Sequence, residues 1–196
     1  MDLFDQIQKG LSIHTPLILE AKDKKRAAVA VVLYSGEDDL RLLFIERAAH
    51  PKDPWSGHIA FPGGTIEPTD RDLKHTAERE TLEELGLDLS NAQYLGQLDD
   101  VPGATLPVQV SGFVYGVQAE IALCPNDEVC EAFWMPFLHL MDPKRRCVLQ
   151  LKNWQPLKEV PAIDLLGPNR PLLWGLTYRL VAQLLGFLGH SLPKIS

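Results

Sequence analysis

Cysteine is scarce in this chain. Cys124, Cys130 and Cys147 are the only three among 196 residues, and they form neither a C-x-x-C pair nor a zinc-type spacing. So sparse and odd a set excludes a disulfide scaffold and fits a reducing cytoplasm, where the expectation for each is a buried structural thiol. Long apolar runs are missing as well. The longest near the C-terminus, residues 180–188, is too short and too interrupted to span a bilayer. The first residues show no basic region followed by an apolar stretch, so neither a membrane anchor nor a signal peptide is expected. Positive charge is in deficit, with 19 Lys and Arg against 26 Asp and Glu and a net charge of −7. That balance disfavours nucleic acid as a partner but leaves room for a local basic pocket that receives an anionic small molecule. No internal repeat or low-complexity segment is visible.

What is present is the composition of one globular domain over residues 1–196, 45% hydrophobic and 23% charged, with enough chain for a sizeable core. Leu3, Phe4, Ile7 and Leu11 predict a lead-in helix that stops before Pro16. A charged linker over 20–26 follows. Residues 27–34 are short, apolar and β-branched, which predicts a buried strand, and 40–47 its hairpin partner across a turn at 35–39. Further strands are expected at 95–100 and 108–123, with Gly112 and Gly116 as bulges or points of close approach. Residues 126–136 open another segment, a short helix begins at Phe137, and 143–161 read as an irregular excursion with a strand around 147–151. The C-terminal helix, to about residue 188, is apolar on nearly every side. It is therefore either deeply buried or used between copies, which leaves a homodimer open.

The chemistry concentrates in Gly63-Gly64-Thr65-Ile66-Glu67-Pro68-Thr69-Asp70 and Arg79-Glu80-Thr81-Leu82-Glu83-Glu84-Leu85-Gly86-Leu87. This reads as a glycine loop running into a helix over about 72–85, capped by Thr69 or Asp70 and ended by Gly86 in a left-handed conformation. Ala77, Thr81 and Leu85 form the stripe that faces the sheet. Glu80, Glu83 and Glu84 share an adjacent face. Like charges one turn apart weaken a helix by a few tenths of a kcal/mol. A solvated acidic face is one account of them. A divalent cation is the other, since it turns repulsion into coordination, and oxygen-only donors suit Mg²⁺ or Mn²⁺. Arg79, one turn from Glu83, can steer that carboxylate. Arg47 is either a surface residue or a phosphate clamp with a bidentate fork. Lys52 adds a nearby charge. Trp55 either packs or stacks on a base. Glu128 is either a solvated strand end or a further carboxylate for the metal.

These two stretches resemble the Nudix box, G-x5-E-x7-R-E-U-x-E-E-x-G-U with U a bulky apolar residue. Residues 79–87 match its second half, with Thr81 at the first apolar position. In the first half Asp70 stands at the glutamate position, and eight residues rather than seven separate it from Arg79. The resemblance implies an α/β fold, the Nudix α/β/α sandwich with a mixed sheet between helices. Its core would cover about residues 27–140, flanked by the lead-in and the C-terminal helical extension. It also implies that Glu80, Glu83, Glu84 and the Gly63 carbonyl bind Mg²⁺ or Mn²⁺ and that Glu80 or Glu128 activates water, with Arg47, Lys52, Trp55 and Gly64 as the candidates to meet the substrate. The reaction would be hydrolysis of a phosphoanhydride, whose departing oxygen a metal neutralises.

Within the family, Arg47-Ala48, Ala60-Phe61-Pro62-Gly63-Gly64, Glu128-Val129, Phe133-Trp134-Met135-Pro136-Phe137 and Trp174-Gly175-Leu176-Thr177 are similar to segments of coenzyme A pyrophosphatases. Those enzymes split CoA into 3′,5′-ADP and 4′-phosphopantetheine. Lys52 stands where the subgroup has its second upstream arginine, and the spacing from Arg47 to Gly57 is one residue longer. The implied substrate is CoA or acyl-CoA, with ADP-ribose, NADH or a nucleotide sugar as the alternative. A non-catalytic nucleotide sensor on the same fold is the reading of another class, and the three retained box glutamates favour the enzyme.

Overall fold

The computed structural model describes residues 2–20, 23–36, 39–50, 56–104, 106–118, 121–151 and 158–193. Its centre is β1 (Lys25–Ser35), the apolar segment noted in the sequence. β1 runs parallel to β7 (Val108–Val117), from Lys25 opposite Val108 to Tyr34 opposite Val117. Its other edge is shared. Near its C-terminal end it pairs antiparallel with β2 (Leu40–Arg47), and near its start it pairs antiparallel with β4 (Gly63–Thr65). β2 also carries β3 (Ile59–Ala60) and β8 (Val129–Pro136), and β7 carries β5 (Gln93–Gln97) and β6 (Val101–Pro102). The result is a mixed sheet of eight strands among the described residues. All ten residues of β7 are buried, as befits a strand covered on both faces.

Alternation along the strands assigns the two faces. Ala28, Ala30 and Val32 of β1 and Leu43 and Ile45 of β2 pack with Ala77 and Leu85 of α2 (Leu73–Leu85). Val31, Leu33, Leu42 and Phe44 point the other way, into a core shared with α1 (Leu3–Ile13) and α4 (Gly175–Phe187). Helices thus cover both faces of the sheet, the expected α/β/α sandwich. The C-terminal helix buries one face, with Tyr178, Leu180, Val181, Leu184 and Leu185 inside, and leaves most of its other residues half-buried. Two glycines of β7 let these helices seat closely. A Cβ at Gly116 would stand 2.6 Å from the Phe4 ring, and one at Gly112 would stand 3.1 Å from Leu180.

Several boundaries differ from the sequence expectation. β7 ends at Val117. The strand expected at 95–100 is β5, over residues 93–97, and Asp100 instead turns inward. It accepts hydrogen bonds from Gln109, Ser111 and the Leu19 backbone, which ties the lead-in segment to the sheet. The supposed irregular excursion contains a hairpin, β9 (Arg146–Leu151) with β10 (Lys158–Ile163), after the short helix α3 (Phe137–Met141). The cap of α2 is Asp72, whose carboxylate accepts from the His75 N–H at 2.8 Å, not Thr69 or Asp70. The cysteines are not buried cores: Cys124 and Cys130 are exposed and Cys147 is half-buried. Cys130 follows buried Val129 and so takes the outward face of β8. Among the described residues no helix is long and apolar enough to cross a membrane.

Gly86 ends α2 at φ 65°, and a Cβ there would stand 3.3 Å from Cys124. Gly86→Ala should therefore lower stability by about 1 kcal/mol or more, read as a reduced urea midpoint with an unchanged slope.

Candidate active site

The carboxylate helix lies against a strand with almost no side chains. Gly63 has φ 154°, and a Cβ on it would fall 2.2 Å from the Ala28 carbonyl, so only glycine fits. Its N–H donates to Glu84 Oε2 at 2.8 Å. One residue on, a Cβ at Gly64 would fall 2.2 Å from Glu80 Oε1, so the Glu80 carboxylate rests on bare backbone. The sheet-facing stripe is present, with Ala77, Thr81 and Leu85 all enclosed. Thr81, the polar residue at an apolar position of the motif, satisfies its hydroxyl on the Ala77 carbonyl at 2.7 Å.

Arg79 organises the exposed edge of this contact. Its Nε and Nη2 form a fork on Asp70, at 2.9 and 3.0 Å. Nη1 reaches Glu83 at 3.0 Å, and Nη2 also lies 3.0 Å from Glu80 Oε1. Asp70 is enclosed and accepts further bonds from the Glu67 N–H and the Thr76 hydroxyl. The Arg79 fork holds its carboxyl well below the usual carboxylate range, against the opposing effect of burial. The same bond raises Arg79 above its usual value. The residue at the motif's glutamate position thus anchors the arginine, a role the sequence reading missed. The available signal was the Asp70 and Arg79 pair flanking the helix start.

The three glutamates are not equivalent. Glu84 is 2% exposed. Burial pushes its carboxyl up to about 7, with the Gly63 N–H and Arg47 pulling down and Glu80 and Glu128 adding repulsion. Arg47 Nη1 lies 3.5 Å from Glu84 Oε1. Glu80 is also raised, first by burial, with Arg79 opposing and with Glu83 and Glu128 adding repulsion. Glu83 is half-exposed and turned to Arg79. Glu128 is exposed in the turn just before β8, close enough to act on both Glu80 and Glu84. Lys52 and Trp55 lie outside the described residues.

Among the described residues no three acidic, His or Cys side chains are already gathered as a cage for a cation. The donor chemistry nevertheless fits one. Glu80 and Glu84 are hard oxygen donors withdrawn from water and mutually repelling, beside a strand that carries no Cβ at Gly63 or Gly64. A divalent ion there would offset the burial that raises both carboxyls.

On the other side of the glycine strand lies a cavity of about 580 Å³. Gly63, Gly64 and Thr65 form one wall, Arg47 is common to both sides, and the glutamates do not line it. Its other walls come from β1, β7, the β9–β10 hairpin and the first turns of α4. His58 and Trp174 meet edge to face at 5.0 Å along it. In the sequence Trp174 stands out only through its segment's likeness to coenzyme A pyrophosphatases and Arg179 not at all, because only the packing of α4 against the sheet brings them to this place.

A NUDIX domain model matches residues 24–162, which includes the glycine strand, the carboxylate helix and the sheet that holds them. The chain belongs to the Nudix family. The mitochondrial coenzyme A diphosphatase NUDT8 of Homo sapiens is 34% identical over 154 residues, covering 77% of this chain and 64% of its own length. An uncharacterized Nudix hydrolase, NudL, of Pectobacterium atrosepticum is 32% identical over 176 residues, covering 88% of each chain. The chain spans 55% and 64% of the length of two curated relatives it matches. A crystal structure of a MutT/nudix family protein from Enterococcus faecalis superposes with a TM-score of 0.55, at 19% identity, over 96% of this chain and 75% of that one. This likeness establishes the Nudix fold.

Two predictions follow from the buried carboxylates. In metal-free protein, a carboxyl raised from 4.5 to about 7 supports the fold below pH 4.5 and loses that support as pH rises through 7. Melts of chelator-treated protein should show this decline between pH 4.5 and 7, and Glu84→Gln should remove it. Gly64→Ala should displace Glu80 while leaving the melting temperature nearly unchanged, and should cut any hydrolytic turnover by about tenfold or more.

Proposed function

We propose that this Nudix protein hydrolyses the diphosphate linkage of a nucleoside diphosphate derivative, with CoA or acyl-CoA as substrate and 3′,5′-ADP and (acyl-)4′-phosphopantetheine as products. The observation that carries the hydrolase reading is the pair of carboxylates, buried Glu84 and half-buried Glu80, pressed against the bare Gly63–Gly64 backbone. The CoA reading is supported by the likeness to a relative named a coenzyme A diphosphatase and by the cavity beside the glycine strand, which accepts the rest of a long substrate.

Glu80 and Glu84, with Glu83 and the Gly63 carbonyl, would hold Mg²⁺ or Mn²⁺. When bound, the ion supplies charge neutralisation at the diphosphate and a more acidic water. The chain's own residues do the rest. The Gly63 N–H fixes the orientation of Glu84, and the Asp70 fork holds Arg79 so that it steers Glu80 and Glu83. Arg47, at the junction of carboxylates and cavity, would bind a phosphate oxygen; its nearness to both supports this. Glu80 or Glu128 takes the proton from the attacking water. Lys52, Trp55 and Gly64 belong to the substrate side of this proposal. The cytoplasm is the proposed compartment, on the unpaired state of the cysteines.

Incubation with CoA, ADP-ribose, NADH and nucleotide sugars in Mg²⁺ or Mn²⁺, followed by product mass, tests the substrate. 3′,5′-ADP from CoA is expected, and AMP from another compound without it would overturn the CoA reading. Glu84→Gln should lower kcat by about a hundredfold or more, and retained turnover would remove Glu84 from the metal site.

A further inference from the structure

The cavity beside the glycine strand is charged in one sense only. Arg47, Lys158 and Arg179 line it, and among the described residues no aspartate or glutamate does, in a chain whose net charge is −7. Arg47 is occupied at the carboxylate end, 3.5 Å from Glu84. Arg179 is not. It projects from α4 and donates through Nη1 to the Pro102 carbonyl at 2.6 Å. Among the described residues no carboxylate pairs with it, and burial without a compensating acid lowers its pKa. A guanidinium has five N–H donors, of which this bond uses one. The walls around it are apolar, including Leu106, Val108 and Leu180.

Strand register places this cation relative to the glutamates. Thr65 of β4 is opposite Ala27 of β1, Ala27 is opposite Val110 of β7, and Val110 is opposite Val101 of β6. Three strand spacings of about 4.8 Å put β6, where Arg179 is anchored, about 14 Å from the glycine strand. That exceeds the length of a diphosphate. An anion held by Arg179 is therefore a second group, separate from the linkage at the carboxylate helix.

We propose that Arg179, with Lys158 adding charge, is a specificity-determining residue that binds a phosphate monoester on the nucleoside half of the substrate, across the cavity from the carboxylate helix. This rests on the reading above that the scissile linkage sits at the Gly63–Gly64 wall. A phosphate monoester carries a charge of about −1.5 to −2, which matches two cations better than a carboxylate would. Its oxygens also suit the planar fork of Arg.

The test measures binding and turnover separately. Calorimetry without metal would compare adenosine 3′,5′-bisphosphate with adenosine 5′-monophosphate on wild type, Arg179→Gln and Arg179→Lys. Wild type should bind the bisphosphate about tenfold or more tightly, Arg179→Gln should bring the ratio near one, and Arg179→Lys should keep part of it. In parallel, Arg179→Gln should lower kcat/KM on CoA about tenfold while leaving dephospho-CoA nearly unchanged. An equal loss on both ligands, an unchanged ratio in both variants, or no wild-type preference would overturn the assignment. A wild-type binding preference lost in Arg179→Gln, without any CoA turnover, would support the subsite and sink the CoA reading instead.

Discussion

The structure turns on an acid kept out of water. Glu84 is enclosed between α2 and β4, and among the described residues its carboxylate meets the Gly63 N–H and, at longer range, Arg47. An ionised carboxylate in such a place is costly unless a partner neutralises it, and the protein supplies only part of that neutralisation. The neighbouring features are ways of tolerating this arrangement. Ala28, Ala30 and Ala77 are small enough for α2 to lie close to the sheet. Gly63 lets the strand lie against Ala28 and Val29 of β1, and Gly64 yields the volume that the Glu80 carboxylate occupies. Arg79 balances the exposed acids and is itself fixed by the enclosed Asp70.

The glycine strand divides the region into two environments of opposite sign. Carboxylates gather on the helix side. Cations and apolar walls gather on the cavity side, although the chain as a whole is acidic. Such segregation suits a ligand with several negative groups, one set bridged to the glutamates by divalent ions and another met directly by arginine. It also separates the tasks. On the proposed reading the helix side would govern charge at the linkage, and the cavity side which molecule carries it.

Much of the architecture was legible beforehand, for local reasons. The β1 and β2 segments stand out because they are short, apolar and rich in β-branched residues. The α2 segment stands out because its stripe of Ala77, Thr81 and Leu85 has helical period and Gly86 ends it. The limits of β7 were not legible, since its apolar pattern runs on beyond Val117 while its pairing with β1 ends there. The cap of α2 was misassigned to Thr69 or Asp70 because several adjacent residues can cap. Only the enclosure of Asp70 by Arg79, Thr76 and the Glu67 N–H removes it from that role. The β9–β10 hairpin was half seen because its exposed and half-buried residues carry weak hydrophobic contrast.

The sequence by itself determined the carboxylate helix, its glycine approach and the family to which both belong, because these are encoded within some twenty-five consecutive residues and depend on helical period and backbone freedom. Tertiary structure alone decided which carboxylates are buried and where the cavity lies. Glu80, Glu83 and Glu84 look alike in the chain. Burial separates Glu84 from Glu83, and burial is a property of the opposing strand. Arg179 lies far along the chain from Gly64, and they share a cavity only because α4 closes the second face of the sheet.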